Sequence, residues 1–71
     1  MVTLILKEID GEIRAVGYAT LKYSTSDPAM VLFDTEKSQL DELAGENWQN
    51  NIHHFKLKYG DIVFDENLGD N

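Results

Sequence analysis

Two β-rich runs open the chain. Residues 2–9 read VTLILKEI and residues 12–23 read EIRAVGYATLKY, with Asp10-Gly11 between them. An Asp-Gly pair in this position predicts a hairpin, because a type I′ turn needs positive φ at both central residues. With that pair as the loop, Ile9 faces Glu12, Lys7 faces Arg14 and Ile5 faces Val16. One face then carries Leu4, Leu6, Ile13, Ala15 and Ala19. The other carries Ile5, Ile9, Val16 and Tyr18. Both faces are partly apolar, which predicts a hairpin that is central in its sheet or covered on both sides. Gly17 is the expected place for a bulge or a close backbone approach.

STSDP, residues 24–28, interrupts the pattern with the only proline and reads as a loop. AMVLF, residues 29–33, predicts a third strand; the competing reading makes Asp27 an N-cap and Pro28 the first helical residue. A short helix follows, with Asp34 or Thr35 as its cap and Glu36 in the first turn, where the helix dipole favours a carboxylate. Leu40, Leu43 and Ala44 form its apolar stripe, Lys37, Asp41 and Glu42 face water, and Gly45 closes it.

ENWQNN is a polar connection around the only tryptophan. Beyond it Phe55, Leu57 and Tyr59 alternate with His54, Lys56 and Lys58, the period of a strand with one face inward. Gly60-Asp61 reads as a second two-residue turn, which places Tyr59 opposite Ile62, Leu57 opposite Phe64 and Lys56 opposite Asp65. Residues 68–71 are expected to fray. These elements predict one small α+β domain over residues 1–71. Its core would be a mainly antiparallel sheet of two β-hairpins, with residues 29–33 as a candidate fifth strand and one short α-helix packed on it.

Composition narrows the function classes. The net charge is −7, with only six Lys and Arg residues and no stripe of them to track phosphates. Direct nucleic-acid binding and docking on an anionic membrane are both disfavoured. Cysteine is absent, which removes disulfides and thiolate metal sites. A chain this short buries only about 60% of its unfolded surface, so a protein partner or a homo-oligomer is the natural source of further stability. No leader pattern and no run of roughly 20 apolar residues is present, so the expected location is a bacterial cytoplasm or a virion.

His53-His54 is the first stretch that suggests chemistry. On a strand these neighbours point to opposite faces and do not converge on one ion, so no metal ligand is assigned. DENLGDN has glycine and acid in the wrong order for a calcium loop. Carboxylates are plentiful, but they fall in turns, on the outer helix face and at strand ends. There is no cysteine nucleophile, nucleophile elbow or Gly-rich phosphate loop, and the reading is non-enzymatic, with no catalytic residues and no cofactor. Trp48 is the one candidate for protein interaction, since tryptophan often anchors interfaces; its competing role is a lid on a small core.

DGEIRAVGYATL and FKLKYGDIVFDEN together resemble a family of very short phage and prophage proteins of unknown function, encoded among tail and baseplate genes. Gly11, Ile13, Gly17, Tyr18 and Ala19 match the first half of its pattern. Tyr59, Gly60, Ile62 and Asn67 match the second, with a shortened spacing between Tyr59 and Gly60. The resemblance covers about half the chain. It implies a tail-associated structural or assembly accessory protein working through protein–protein contacts, and it supplies no catalytic residues. The alternative is an acidic inhibitor or nucleic-acid mimic that binds a host nucleic-acid-binding protein.

Overall fold

The computed structural model describes residues 1–21 and 23–68. Asp10 and Gly11 reverse the chain with φ of 53° and 83°, the double positive φ that the turn requires. They join β1 (Val2–Ile9) to β2 (Glu12–Ala19). Ile9 pairs with Glu12, Lys7 with Arg14 and Leu6 with Ala15, after which the register slips and Ile5 faces Gly17 instead of Val16. Val16 is the extra residue of a β-bulge and is half exposed.

The bulge corrects the predicted faces beyond it. Leu4 faces Tyr18 and Thr3 faces Ala19, so Tyr18 joins the Leu4 face and Ala19 the Ile5 face. A single inserted residue inverts the alternation of everything after it.

Residues 30–35 form a strand and not a helix. Asp27 accepts the Ala29 N–H on its carboxylate at 2.9 Å and the Met30 N–H on its carbonyl at 3.1 Å, a turn that leads straight into β3 (Met30–Thr35). This strand pairs antiparallel with the free side of β1, from Val2↔Thr35 to Lys7↔Met30.

The helix α1 (Lys37–Ala44) starts one turn position later than predicted, with Glu36 at the N-cap in extended conformation and no side-chain cap. Asp34 and Thr35 belong to the strand instead. Asp34 accepts the Thr3 hydroxyl at 2.7 Å, and the buried Thr35 donates its hydroxyl to Gln39 Oε1 at 2.9 Å. Strand pairing holds both candidates away from the capping position. Gly45 does end the helix, at φ 80°, and donates its N–H to Asp41 O at 2.7 Å. Leu40 is buried while Leu43 is exposed, so the inward stripe is narrower than predicted.

Trp48–His54, read as a polar connection entering a strand, is a 3₁₀ segment with a kink at Asn51. β4 (Phe55–Lys58) and β5 (Asp61–Phe64) follow. Their turn is Tyr59-Gly60, with φ of 55° and 80°, and not Gly60-Asp61. Leu57 therefore faces Ile62, Phe55 faces Phe64 and Lys56 faces Val63, each partner two residues from the predicted register.

The sheet order is β3-β1-β2-β4-β5, antiparallel throughout, with the first hairpin in the middle as its two apolar faces suggested. Val2, Leu4, Leu6, Ala15, Phe55 and Ile62 share one face of this curled sheet, and Leu40 and Trp48 cover them to complete the buried core. Leu68, predicted to fray, is buried and donates its N–H to Asp65 O at 3.0 Å. The rest of the predicted tail, 69–71, lies outside the described residues. No helix among the described residues is long and apolar enough to cross a membrane.

Candidate functional site

The helical layer covers only one face of the sheet. On the other face, pairing aligns Leu32, Ile5 and Gly17 across β3, β1 and β2. A Cβ built on Gly17 would lie 3.9 Å from Ile5 Cδ1, so the Ile5 side chain lies over the glycine. Met30, Ile9, Ala19 and Val63 occupy the same face and are partly buried. Among the described residues no helix or strand packs over this surface, and the β2–β3 connection, which must cross β1, brings Leu21 and Tyr23 beside Thr3 and Asp34 at its Met1 end. Toward its Met1 end lies a recess of about 420 Å³, lined by Met1, Thr3, Thr20, Leu21, Tyr23 and Asp34.

A row of cations crosses the same face. Lys7, Arg14 and Lys56 are register neighbours on β1, β2 and β4. Glu12 holds two of them, accepting from Arg14 Nη2 at 3.2 Å and from Lys56 Nζ at 3.1 Å. Lys56 also reaches Asp65 Oδ2 at 3.3 Å, the cross-strand ion pair that the sequence suggested, though Asp65 sits beyond the strand end. The Lys56 and Arg14 hydrogen bonds lower the Glu12 carboxyl below its ordinary range. Asp65 is lowered by the Asn67 backbone N–H and then by Lys56, while Glu12 and Asp65 raise Lys56 above the usual lysine range. Sequence reading missed the row because it depends on the pairing of β2 with β4, which are far apart in the chain.

The histidine pair is placed differently from the prediction. His53 and His54 end the 3₁₀ segment with ring centroids 4.2 Å apart and planes tilted by 38°, so they stack and do not point to opposite faces. His54 also packs on Phe64 at 5.6 Å, with its Nδ1 buried and, among the described residues, without a hydrogen-bond partner. Among the described residues no group of three His, Asp or Glu side chains is placed to hold a metal ion.

Trp48 takes the lid role weighed for it, and Tyr59 leaves the core-facing position expected of it. Trp48, the candidate interface anchor, is 1% exposed, with its indole edge-on to Tyr18 at 5.0 Å. In this position it presents no surface to a partner. Tyr59, assigned to a core-facing strand position, is 96% exposed at the tip of the second hairpin, with Lys58 Nζ 5.5 Å from its ring. The signal for this was present: in Tyr59-Gly60, as in Asp10-Gly11, glycine takes the second turn position.

No family model matches the chain, and neither a curated protein nor a solved structure shows significant similarity to it.

Proposed function

We propose that this chain is a non-enzymatic structural or assembly accessory protein that acts through protein–protein contacts. The open sheet face carries the reading: Leu32, Ile5, Met30 and Ile9 form an apolar surface beside the Lys7–Arg14–Lys56 row, with no helix packed over it. A surface of that character fits a protein better than a small molecule, since it offers a partly exposed apolar area with a charged border. The phage or prophage setting comes from the hairpin motifs alone.

A second reading has its own observation. α1 and its flanks expose Glu36, Glu42 and Glu46, and the nearby Lys37 is already engaged with Asp41 at 3.4 Å. That acidic side suits a basic host protein, as an inhibitor or nucleic-acid mimic would.

Affinity capture from a phage-producing lysate, at low and high salt, separates the two. Recovery of tail or baseplate proteins at both salts, lost in Ile5→Lys, supports the accessory role. Recovery of a basic nucleic-acid-binding protein that high salt releases supports the acidic inhibitor. Recovery of neither overturns both.

A further inference from the structure

The sheet ends in two edges that are built differently. β5 has four residues, begins at Asp61 and runs into Asp65, which is bound by Lys56. β3 has six, of which Met30, Val31, Leu32 and Phe33 form an unbroken apolar run. Natural edge strands are usually blunted by shortness, lysine, proline, a bulge or a covering element. Along Met30–Phe33 there is no lysine, no proline and no bulge. The register with β1 is continuous, so no bulge turns the strand away. The helix that follows packs on the 3₁₀ segment and β5, across the sheet and away from this edge. Among the described residues, the only backbone hydrogen bond outside the ladders that involves β3 is the Met30 N–H to Asp27 O.

We propose that β3 pairs antiparallel with β3 of a second copy of this chain, joining two five-stranded sheets into one. The inference rests on the protein-contact reading above and names its partner and surface. A strand edge is self-complementary about a twofold axis normal to the sheet. Such an axis keeps both helical layers on the same side, so paired residues must share a face. Centred on Leu32, it sets Leu32 against Leu32 of the second copy, Val31 against Phe33 and Met30 against Asp34. No carboxylate meets a carboxylate along the strand. On the inner face Val31 and Phe33, already packed on the core cluster, extend that core into the second copy. On the outer face the Leu32–Ile5–Gly17 row continues across the axis, so the two open faces become one surface.

The competing occupant is an extended basic segment of another protein, which a chain of net charge −7 would attract. Salt separates them with opposite signs. Two copies repel each other at long range, so salt tightens self-pairing and loosens binding of a basic segment.

Sedimentation of the full chain across a wide concentration range reads the outcome directly. The expected result is a shift from one copy to two, favoured by salt. Leu32→Lys, which opposes two lysines at the axis, should weaken the dimer by at least about tenfold, with circular dichroism and Trp48 emission unchanged. Leu32→Cys provides an independent check, since the chain has no other cysteine. Mild oxidation should join this variant into a covalent dimer, whereas Ile9→Cys, on the same face but away from the axis, should not. A monomer at every concentration, or a dimer indifferent to Leu32→Lys, overturns the proposal. If a monomer still captures tail proteins, self-pairing fails and the wider reading stands. A dimer that captures no other protein supports self-pairing and removes the accessory role.

Discussion

The two hairpins share a turn geometry and differ in almost everything else. Both reverse the chain through two residues of positive φ, Asp10-Gly11 at 53° and 83° and Tyr59-Gly60 at 55° and 80°. The first uses aspartate, whose short polar side chain tolerates the left-handed region. The second places an exposed tyrosine there, a conformation that L-residues with large side chains adopt at a cost. The first joins eight-residue strands at the centre of the sheet, the second four-residue strands at its edge. One turn type therefore serves two purposes: it closes a register over long strands in one case, and holds an aromatic ring out in water in the other. Residues held in costly conformations often mark functional sites, and of the two described non-glycine residues at positive φ, Tyr59 is the one with a bulky side chain.

The largest effect that tests this comparison comes from the turn glycines. A Cβ at Gly11 or Gly60 meets nothing within 4 Å, so an alanine there costs only backbone strain. Each substitution is expected to lose about 1–2 kcal/mol in urea unfolding. They should differ in where the loss appears. Gly11→Ala should lower protection of the whole sheet in hydrogen exchange, and Gly60→Ala that of β4 and β5 first. Equal loss of protection everywhere would mean that the hairpins open as one unit.

A smaller change of opposite sign is expected at Tyr59. Tyr59→Asn relieves the left-handed strain and should raise the melting temperature, by an amount corresponding to up to about 1 kcal/mol, whereas Asp10→Asn should leave it nearly unchanged. If Tyr59→Asn lowers the melting temperature, the tyrosine is held by contacts that its exposure does not reveal.

The smallest effect concerns the charges that tie the hairpins together, Glu12 on β2 to Lys56 on β4 and Lys56 to Asp65 after β5. Folding lowers Glu12 below 4.5 and Asp65 below 3.8, so both stabilise the fold above those values and lose that contribution as pH falls through their lowered pKa. Lys56 is raised above 10.5, so its contribution is complete below that value and is lost as pH climbs through its raised pKa. All three are solvent-accessible, and the effect is correspondingly modest. Lys56→Met should flatten both limbs of the melting-temperature profile against pH, whereas an unchanged profile would remove the network as a link between hairpins.

Local chemistry was largely legible in the sequence, and its consequences across the sheet were not. Asp10-Gly11 predicted the first turn and its register as far as Leu6↔Ala15, because the turn residues alone set it. Gly17 marked the neighbourhood of the bulge but not the extra residue; with Val16 extra, Tyr18 joins the Leu4 face and meets Trp48 edge-on. That contact joins distant parts of the chain. The second turn was misplaced by one residue because Gly60-Asp61 looked like turn chemistry and tyrosine did not. His53-His54 was read with strand geometry, and the 3₁₀ segment that stacks the two rings carries little periodicity of its own. The candidate surface was legible only in part. Two apolar faces on the first hairpin hinted at it, whereas the open face and its cation row required the strand order.

The placement of β1 between β2 and β3 also gathers the first three strands into one contiguous unit. β2 and β3 follow β1 in the chain and flank it in the sheet, so this three-stranded unit can form from the first half of the sequence. Hairpin closure takes on the order of microseconds, and the cost of closing a loop grows with its length. The Glu12–Lys56 contact joins residues 44 apart, so docking β4 beside β2 encloses β3, the helix and the 3₁₀ segment in one loop. That closure spans more of the sequence than any other side-chain hydrogen bond among the described residues. Until it occurs, the inner edge of β2 is as open as β3, and a nascent chain has two unpaired edges through which to meet its neighbours.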